Sequence, residues 1–184
     1  MVRRLLLVLG LALPHVGHAV EAGDATFVDR LTVGDRTLVV RGAGTLRYRL
    51  VFTVYAAALY QDAARPGGDP LDDVAKRLEL NYFYEISAAD FQKATDETIG
   101  RNCDAATLAA MAPRLARYKA LYQDIKPGQR YALTYRPGVG TELAKDGVAL
   151  GTIEGADFAR AIFAIWLGVE PLDTTLKRKL VVGK

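Results

Sequence analysis

GAGTLRYRLVFTVYAAALY, residues 42–60, decides the fold. Two glycines flank Ala43 at its start and allow a bulge or a close approach of another segment to the backbone. From Arg47 onward β-branched and aromatic residues dominate, so Arg47–Tyr60 reads as one long strand. Period-two alternation puts Arg47, Arg49, Val51, Thr53, Tyr55, Ala57 and Leu59 on one face. Tyr48, Leu50, Phe52, Val54, Ala56, Ala58 and Tyr60 fall on the other. Past Val51 both faces are largely apolar, the pattern of a central strand covered on both sides. Its 14 residues are many for one strand, so a bend near the middle is expected.

The flanking chain supplies the rest of a sheet. Thr26–Val33 and Thr37–Arg41 form a predicted hairpin around Gly34-Asp35. Asp62–Asp73 is a loop punctuated by Pro66, Gly67, Gly68 and Pro70. Leu78, Leu80, Tyr82 and Tyr84 alternate in a strand within 75–85. Ser87, with Asp90 three residues on, marks the start of a helix to about Asn102. Asp104 caps a second helix to about Tyr122, which Pro113 is expected to kink or split. Tyr131, Leu133 and Tyr135 alternate in a strand that ends at Pro137. Gly138-Val139-Gly140 leads to another strand, and Asp146-Gly147 is a type I′ hairpin signal. Asp157–Leu167 is an amphipathic helix with Phe158, Ala161, Ile162, Ile165 and Trp166 on its apolar stripe, and Gly168 suits its C-cap. A last short helix spans Asp173–Leu180. Hairpins dominate and no βαβ alternation is present. The predicted fold is α+β: one antiparallel sheet of six to seven strands with a layer of helices on one face.

The first 19 residues read differently. Arg3 and Arg4 precede the apolar run Leu5–Leu13, Pro14 ends it, and Gly17-His18-Ala19 is a small-x-small cleavage site. That is the pattern of a secretory signal peptide cleaved after Ala19, leaving 20–184 as a single domain in the periplasm or outside the cell. The run is too short to span a bilayer, and no later segment is longer, so no transmembrane segment is expected after cleavage. Of 24 Lys and Arg, two leave with the leader; the remaining 22 face 21 Asp and Glu, a net charge of +1. A nucleic-acid partner is therefore not expected. Both histidines, His15 and His18, leave as well. Without histidine, Ser/His and Cys/His catalysis and His-ligated zinc or haem are excluded, and neither a metal site nor a cofactor is expected. Cys103, the one cysteine, has no internal disulfide partner and reads as a small residue between two helices. Asp72-Asp73 reads as a pair of solvated loop charges. Arg47 and Tyr55 share a face of the predicted strand. An arginine for an acid head group and a tyrosine hydroxyl beside it, over an apolar pocket, would hold an amphipathic acid. The alternative is a sheet-edge charge and a core tyrosine.

GAGTLR followed by VYAAALY, and DGVALGTIEGADFARAIFAIWLG near the C-terminus, resemble the chalcone isomerase superfamily over most of Leu38–Leu180. The nearest likeness is to its bacterial secreted chalcone isomerase-like group. The resemblance implies an antiparallel sheet, a helical layer and a cleft between them. It places Arg47 near the catalytic arginine of the plant enzymes, Tyr55 at their threonine, Phe91 at their helix tyrosine, about Thr98 at their asparagine and Ile165 at their late Ser or Thr. Only the arginine is kept, so no catalytic residue is assigned. In the fatty-acid-binding branch an arginine and a tyrosine hold the carboxylate, and the tyrosine lies in a segment similar to Val54-Tyr55-Ala56-Ala57-Ala58. The arginine stands farther from the tyrosine there than Arg47 does from Tyr55, which leaves Arg49 and Arg41 as alternatives. The resemblance implies a periplasmic, non-catalytic binding protein for a small amphipathic acid such as a fatty acid. Arg47 and Tyr55 would hold the acid group, and Phe91, Ile165 and Trp166 would line the apolar part. Three alternatives stay open: an isomerase or lyase with Arg-assisted enolate stabilisation, a tetrapyrrole (haem) carrier with tyrosine as ligand, and an envelope interaction module with a vestigial cleft.

Overall fold

A computed structural model describes residues 19–48 and 52–182. Apart from Ala19, the expected leader lies outside the described residues, as do Arg49, Leu50 and Val51. The strands are β1 (Ala19–Ala22), β2 (Ala25–Val28), β3 (Arg30–Val33), β4 (Arg36–Tyr48), β5 (Phe52–Asp62), β6 (Lys76–Tyr82), β7 (Arg130–Arg136), β8 (Gly140–Lys145) and β9 (Val148–Ile153). The helices are α1 (Ala88–Asn102), α2 (Ala105–Lys119), α3 (Ala156–Leu167) and α4 (Thr174–Val182). Strands β3 to β9 form a seven-stranded antiparallel sheet in sequence order, and β1 and β2 form a separate hairpin. The fold is α+β, as the sequence predicts.

The decisive stretch differs in one respect. Arg47–Tyr60 is not one strand with a bend but the end of β4 and most of β5, paired antiparallel. Tyr48 pairs with Phe52, Arg47 with Thr53 and Leu46 with Tyr55. The connection carries none of the Gly, Pro, Asn or Asp that usually mark a hairpin turn, so two strands read as one. Thr26–Val33 likewise divides at Asp29 into β2 and β3.

Local signals set the remaining elements. The Ser87 hydroxyl accepts from the Asp90 amide at 3.1 Å and donates to its carboxylate at 2.6 Å, which caps α1. Asp104 caps α2 by accepting from the Thr107 amide at 2.7 Å. Helix α2 runs through Pro113 without a break. Ala109, whose carbonyl loses its intrahelical donor there, is exposed, so water can satisfy it. Asp146 and Gly147, with φ of 48° and 82°, make the tight turn between β8 and β9.

Two apolar layers cover the sheet. On one face α1–α4 pack over Leu59, Leu78, Leu80, Tyr131, Leu133 and Leu143. Helix α3 is buried from Phe158 to Leu167 except at Arg160, because it lies between the sheet and the other helices. Each fully buried Phe or Ile on it contributes about 1.5–3 kcal/mol. On the other face the β1–β2 hairpin lays Ala22, Ala25 and Phe27 against Leu38, Ala56, Ala58 and Tyr60. Helix α4 rests on β4 where that strand has no side chains. A methyl group on Gly42 would overlap the carbonyl oxygen of Lys179 and lie 2.8 Å from that of Leu180. One on Gly44 would lie 2.8 Å from the Lys179 side chain.

Lys76 is buried at 1% exposure. Its Nζ donates to the Asp72 carbonyl at 2.6 Å and sits 5.1 Å from the Tyr135 ring centroid and 5.4 Å from that of Phe163. The Tyr135 hydroxyl donates to Asp73 at 2.5 Å. Asp73 is thus an exposed residue with a buried partner rather than a purely solvated charge.

Two outcomes are expected. Gly42→Ala lowers stability by about 1–3 kcal/mol, read as a shifted urea midpoint, because the obstacle is backbone that cannot swing aside. Burial pushes the Lys76 amine down to about 8 from its ordinary value near 10.5. Between those two values the unfolded chain binds a proton that the folded chain does not, so stability from this group rises with pH. Wild type should gain stability relative to Lys76→Met as pH goes from about 8 to about 10.

Candidate functional site: an apolar cavity between sheet and helices

A cavity of about 220 Å³ lies between the inner face of the sheet and helices α1 and α3. Its floor is Tyr55 of β5, Leu80 and Tyr82 of β6, Tyr131 and Leu133 of β7 and Leu143 of β8. Alternation puts these side chains on one side of their strands. Helix α1 supplies Phe91, Ala94, Thr95 and Thr98, and α3 supplies Ile165 and Trp166. Asp90, Ala94 and Leu172 line the cavity and are exposed, so they form its mouth.

The polar groups inside are mostly paired with one another. Trp166 Nε1 donates to the Tyr55 hydroxyl at 2.9 Å. Thr95 Oγ1 and the Tyr122 hydroxyl share a hydrogen bond of 2.9 Å. Thr98 Oγ1 donates to the Ala94 carbonyl at 2.8 Å. The Tyr131 hydroxyl donates to the Gln123 carbonyl at 2.7 Å and accepts from its amide at 2.8 Å. The Tyr82 hydroxyl has no hydrogen-bond partner among the described residues. Desolvation pushes the phenols of Tyr55 and Tyr82 well above the usual tyrosine range, so both stay neutral. Phe91 is the hub of the aromatic wall. It stacks on Tyr122 at 5.3 Å and meets Tyr82 and Tyr131 edge-on at 5.4 and 5.3 Å.

Of the residues expected to face a ligand, Tyr55, Phe91, Ile165 and Trp166 all line this cavity. Arg47 does not: its side chain is exposed and stands outside the cavity wall. The reason is alternation: Leu46 takes the lining position opposite Tyr55, and Arg47, the next residue of β4, pairs with Thr53 and falls on the other face. Arg41 is committed elsewhere. It donates from Nε to the Val181 carbonyl at 2.8 Å and from Nη1 to Gln61 at 2.6 Å and to the Gly68 carbonyl. It fastens the end of α4 to β5 and the following loop. Arg49 lies outside the described residues.

Sequence reasoning missed Tyr82, Tyr122 and Tyr131 as cavity residues. Tyr82 alternates with Leu78 and Leu80, which marks its face as buried but does not separate a cavity wall from a filled core. Among the described lining residues Asp90 is the one charged side chain. No cluster of three or more His, Cys, Asp or Glu is found among the described residues. Cys103 is a free, half-buried thiol at the end of α1, and burial raises its pKa. No helix among the described residues is long and apolar enough to cross a membrane.

A family model described as chalcone isomerase-like matches residues 19–181. None of the curated proteins matches. The crystal structure of a fatty-acid binding protein from Arabidopsis thaliana superposes with a TM-score of 0.67, covering 90% of this chain and 96% of that one at 18% identity. At that identity the likeness is one of fold.

Removing the Tyr55 hydroxyl leaves the Trp166 indole N–H buried without an acceptor. Tyr55→Phe should cost about 1–3 kcal/mol in chemical denaturation, and adding Trp166→Phe should recover part of that loss.

Proposed function

We propose that this chain, which belongs to the chalcone isomerase-like family, is a non-catalytic binding protein for a small amphipathic acid such as a fatty acid. The observation that carries this reading is the cavity itself: preformed, walled mainly by aromatic and aliphatic side chains, with a few hydroxyls inside. The fatty-acid binding protein with the same fold lends support. Tyr55 would meet the polar end of the ligand, and Phe91, Ile165 and Trp166 the apolar part. Arg47 has no contact in this reading.

Size narrows the ligand. The cavity is larger than the roughly 150 Å³ apolar cavity that accepts benzene and smaller than the roughly 300 Å³ where drug-sized pockets begin. That suits a short- to medium-chain acid. Catalysis has less support. An isomerase or lyase needs a group to take and return a proton. The lining offers neutral phenols and Asp90, which sits at the mouth bonded to Ser87. The leader-like residues 1–19 support action in the periplasm or outside the cell.

Trp166 is the one tryptophan and lines the cavity. Titrating the mature chain with octanoic acid should shift or quench its fluorescence to saturation. Ala94→Trp, at the exposed mouth, should block the response seen by calorimetry while leaving the fold intact. An unaltered signal across the fatty-acid series from hexanoate to palmitate would overturn the reading. N-terminal sequencing of protein from an envelope fraction should begin at Val20.

A further inference from the structure

We infer that the cavity takes its ligand with the polar head uncharged, held by the hydroxyl protons of Tyr55 and Tyr82. This rests on the binding function proposed above and specifies the chemistry of its head group.

Charge among the described lining residues is all of one sign. The described lining residues include no Lys, Arg or His, and their one charged side chain is Asp90 of α1. Asp173, just before α4, acts electrostatically on the Tyr55 phenol and disfavours its ionisation. The other titratable neighbours of the two hydroxyls are the neutral phenols of Tyr122, after α2, and Tyr131, on β7. Arg47 is outside the wall and Arg41 is spent on Val181, Gln61 and Gly68. Among the described lining residues a carboxylate placed here meets Asp90 and no cation, and an unpaired buried charge neutralises rather than stays ionised.

Donors for a neutral head are present. The Tyr55 oxygen already accepts from the Trp166 indole, which leaves its own proton to give. The Tyr82 hydroxyl has no hydrogen-bond partner among the described residues, and Tyr82 pairs with Tyr55 across the β5–β6 ladder with ring centroids 5.3 Å apart. Two O–H donors on neighbouring rings suit the carbonyl of a protonated acid or amide, or the oxygen of an alcohol. An acid thus enters as the protonated form, and its affinity follows the fraction protonated.

The test is isothermal titration of the mature chain with octanoic acid, octanamide and octan-1-ol between about pH 5.5 and about pH 7.5. Octanamide should bind at least about tenfold tighter than octanoate at the upper pH, with an affinity that does not change with pH. Octanoate should lose about tenfold in affinity per pH unit across that range, since a free carboxyl is ionised throughout it. Tyr82→Phe should weaken octanamide about tenfold, the effect of one hydrogen bond, without altering the thermal transition. Octanoate binding that is flat with pH and as tight as octanamide would overturn the inference while leaving the binding function standing. Octanamide unaffected by Tyr82→Phe would also overturn it. Failure of all three ligands at every pH would remove both.

Discussion

Strand β4 has to serve two layers at once, and the way it pairs with β5 decides how. Its ladder is broken twice, between Val40 and Gly42 and between Leu46 and Arg47. The first shift lets Gly42 and Gly44 face α4 while Leu38, Val40 and Ala43 face the β1–β2 hairpin. The register it sets brings Leu46 beside Tyr55 and, by alternation, leaves Arg47 outside, and the second shift passes over Val54 of β5. Each shift exchanges the faces of the residues beyond it. Without the first, side chains would stand where the backbone of α4 now rests.

The interior shows how an apolar cavity stays open. Phe91, Tyr82, Tyr122 and Tyr131 brace one another by ring contacts, and Tyr55 is tied to Trp166 by a hydrogen bond between residues 111 apart in the chain. Flat rings held edge to face cannot collapse into the space as flexible aliphatic chains would. Polar atoms mostly bond among themselves, so little is left to recruit water. The same arrangement makes Tyr55 and Trp166 both wall and fastening.

Much of the fold was legible because its signals are local. Ser87 and Asp104 cap their helices within three residues, and Asp146-Gly147 states its turn type in two letters. The apolar stripe of α3 is visible in its spacing. The end of β4 was not legible. Tyr48 and Phe52 are neighbours across a hairpin, yet the chain between them looks like strand. Reading through it put Arg47 and Tyr55 on one strand face and gave Arg47 a view of the cavity that it lacks. Of the candidate site, Tyr55, Phe91, Ile165 and Trp166 were legible from sequence and resemblance as lining residues. Tyr82 and Tyr131 were visible as inward-facing but not as cavity walls, because alternation records burial and not empty space. Lys76 was invisible for a related reason: a lysine in a strand gives no sign that aromatic rings and a loop carbonyl will enclose it.

The bare backbone under α4 bears on the order in which the molecule can be assembled. The trench that receives Lys179 and Leu180 is made by Gly42 and Gly44, and it exists only once β4 has paired and bulged. The helix contacts little besides β4, β5 and α3, so it has no seat before that hairpin and α3 are in place. A chain stopped short of Thr174 would not be a smaller version of the same domain, because an uncovered furrow of main chain would run along one side of its sheet, with the sockets of Leu176 and Leu180 empty.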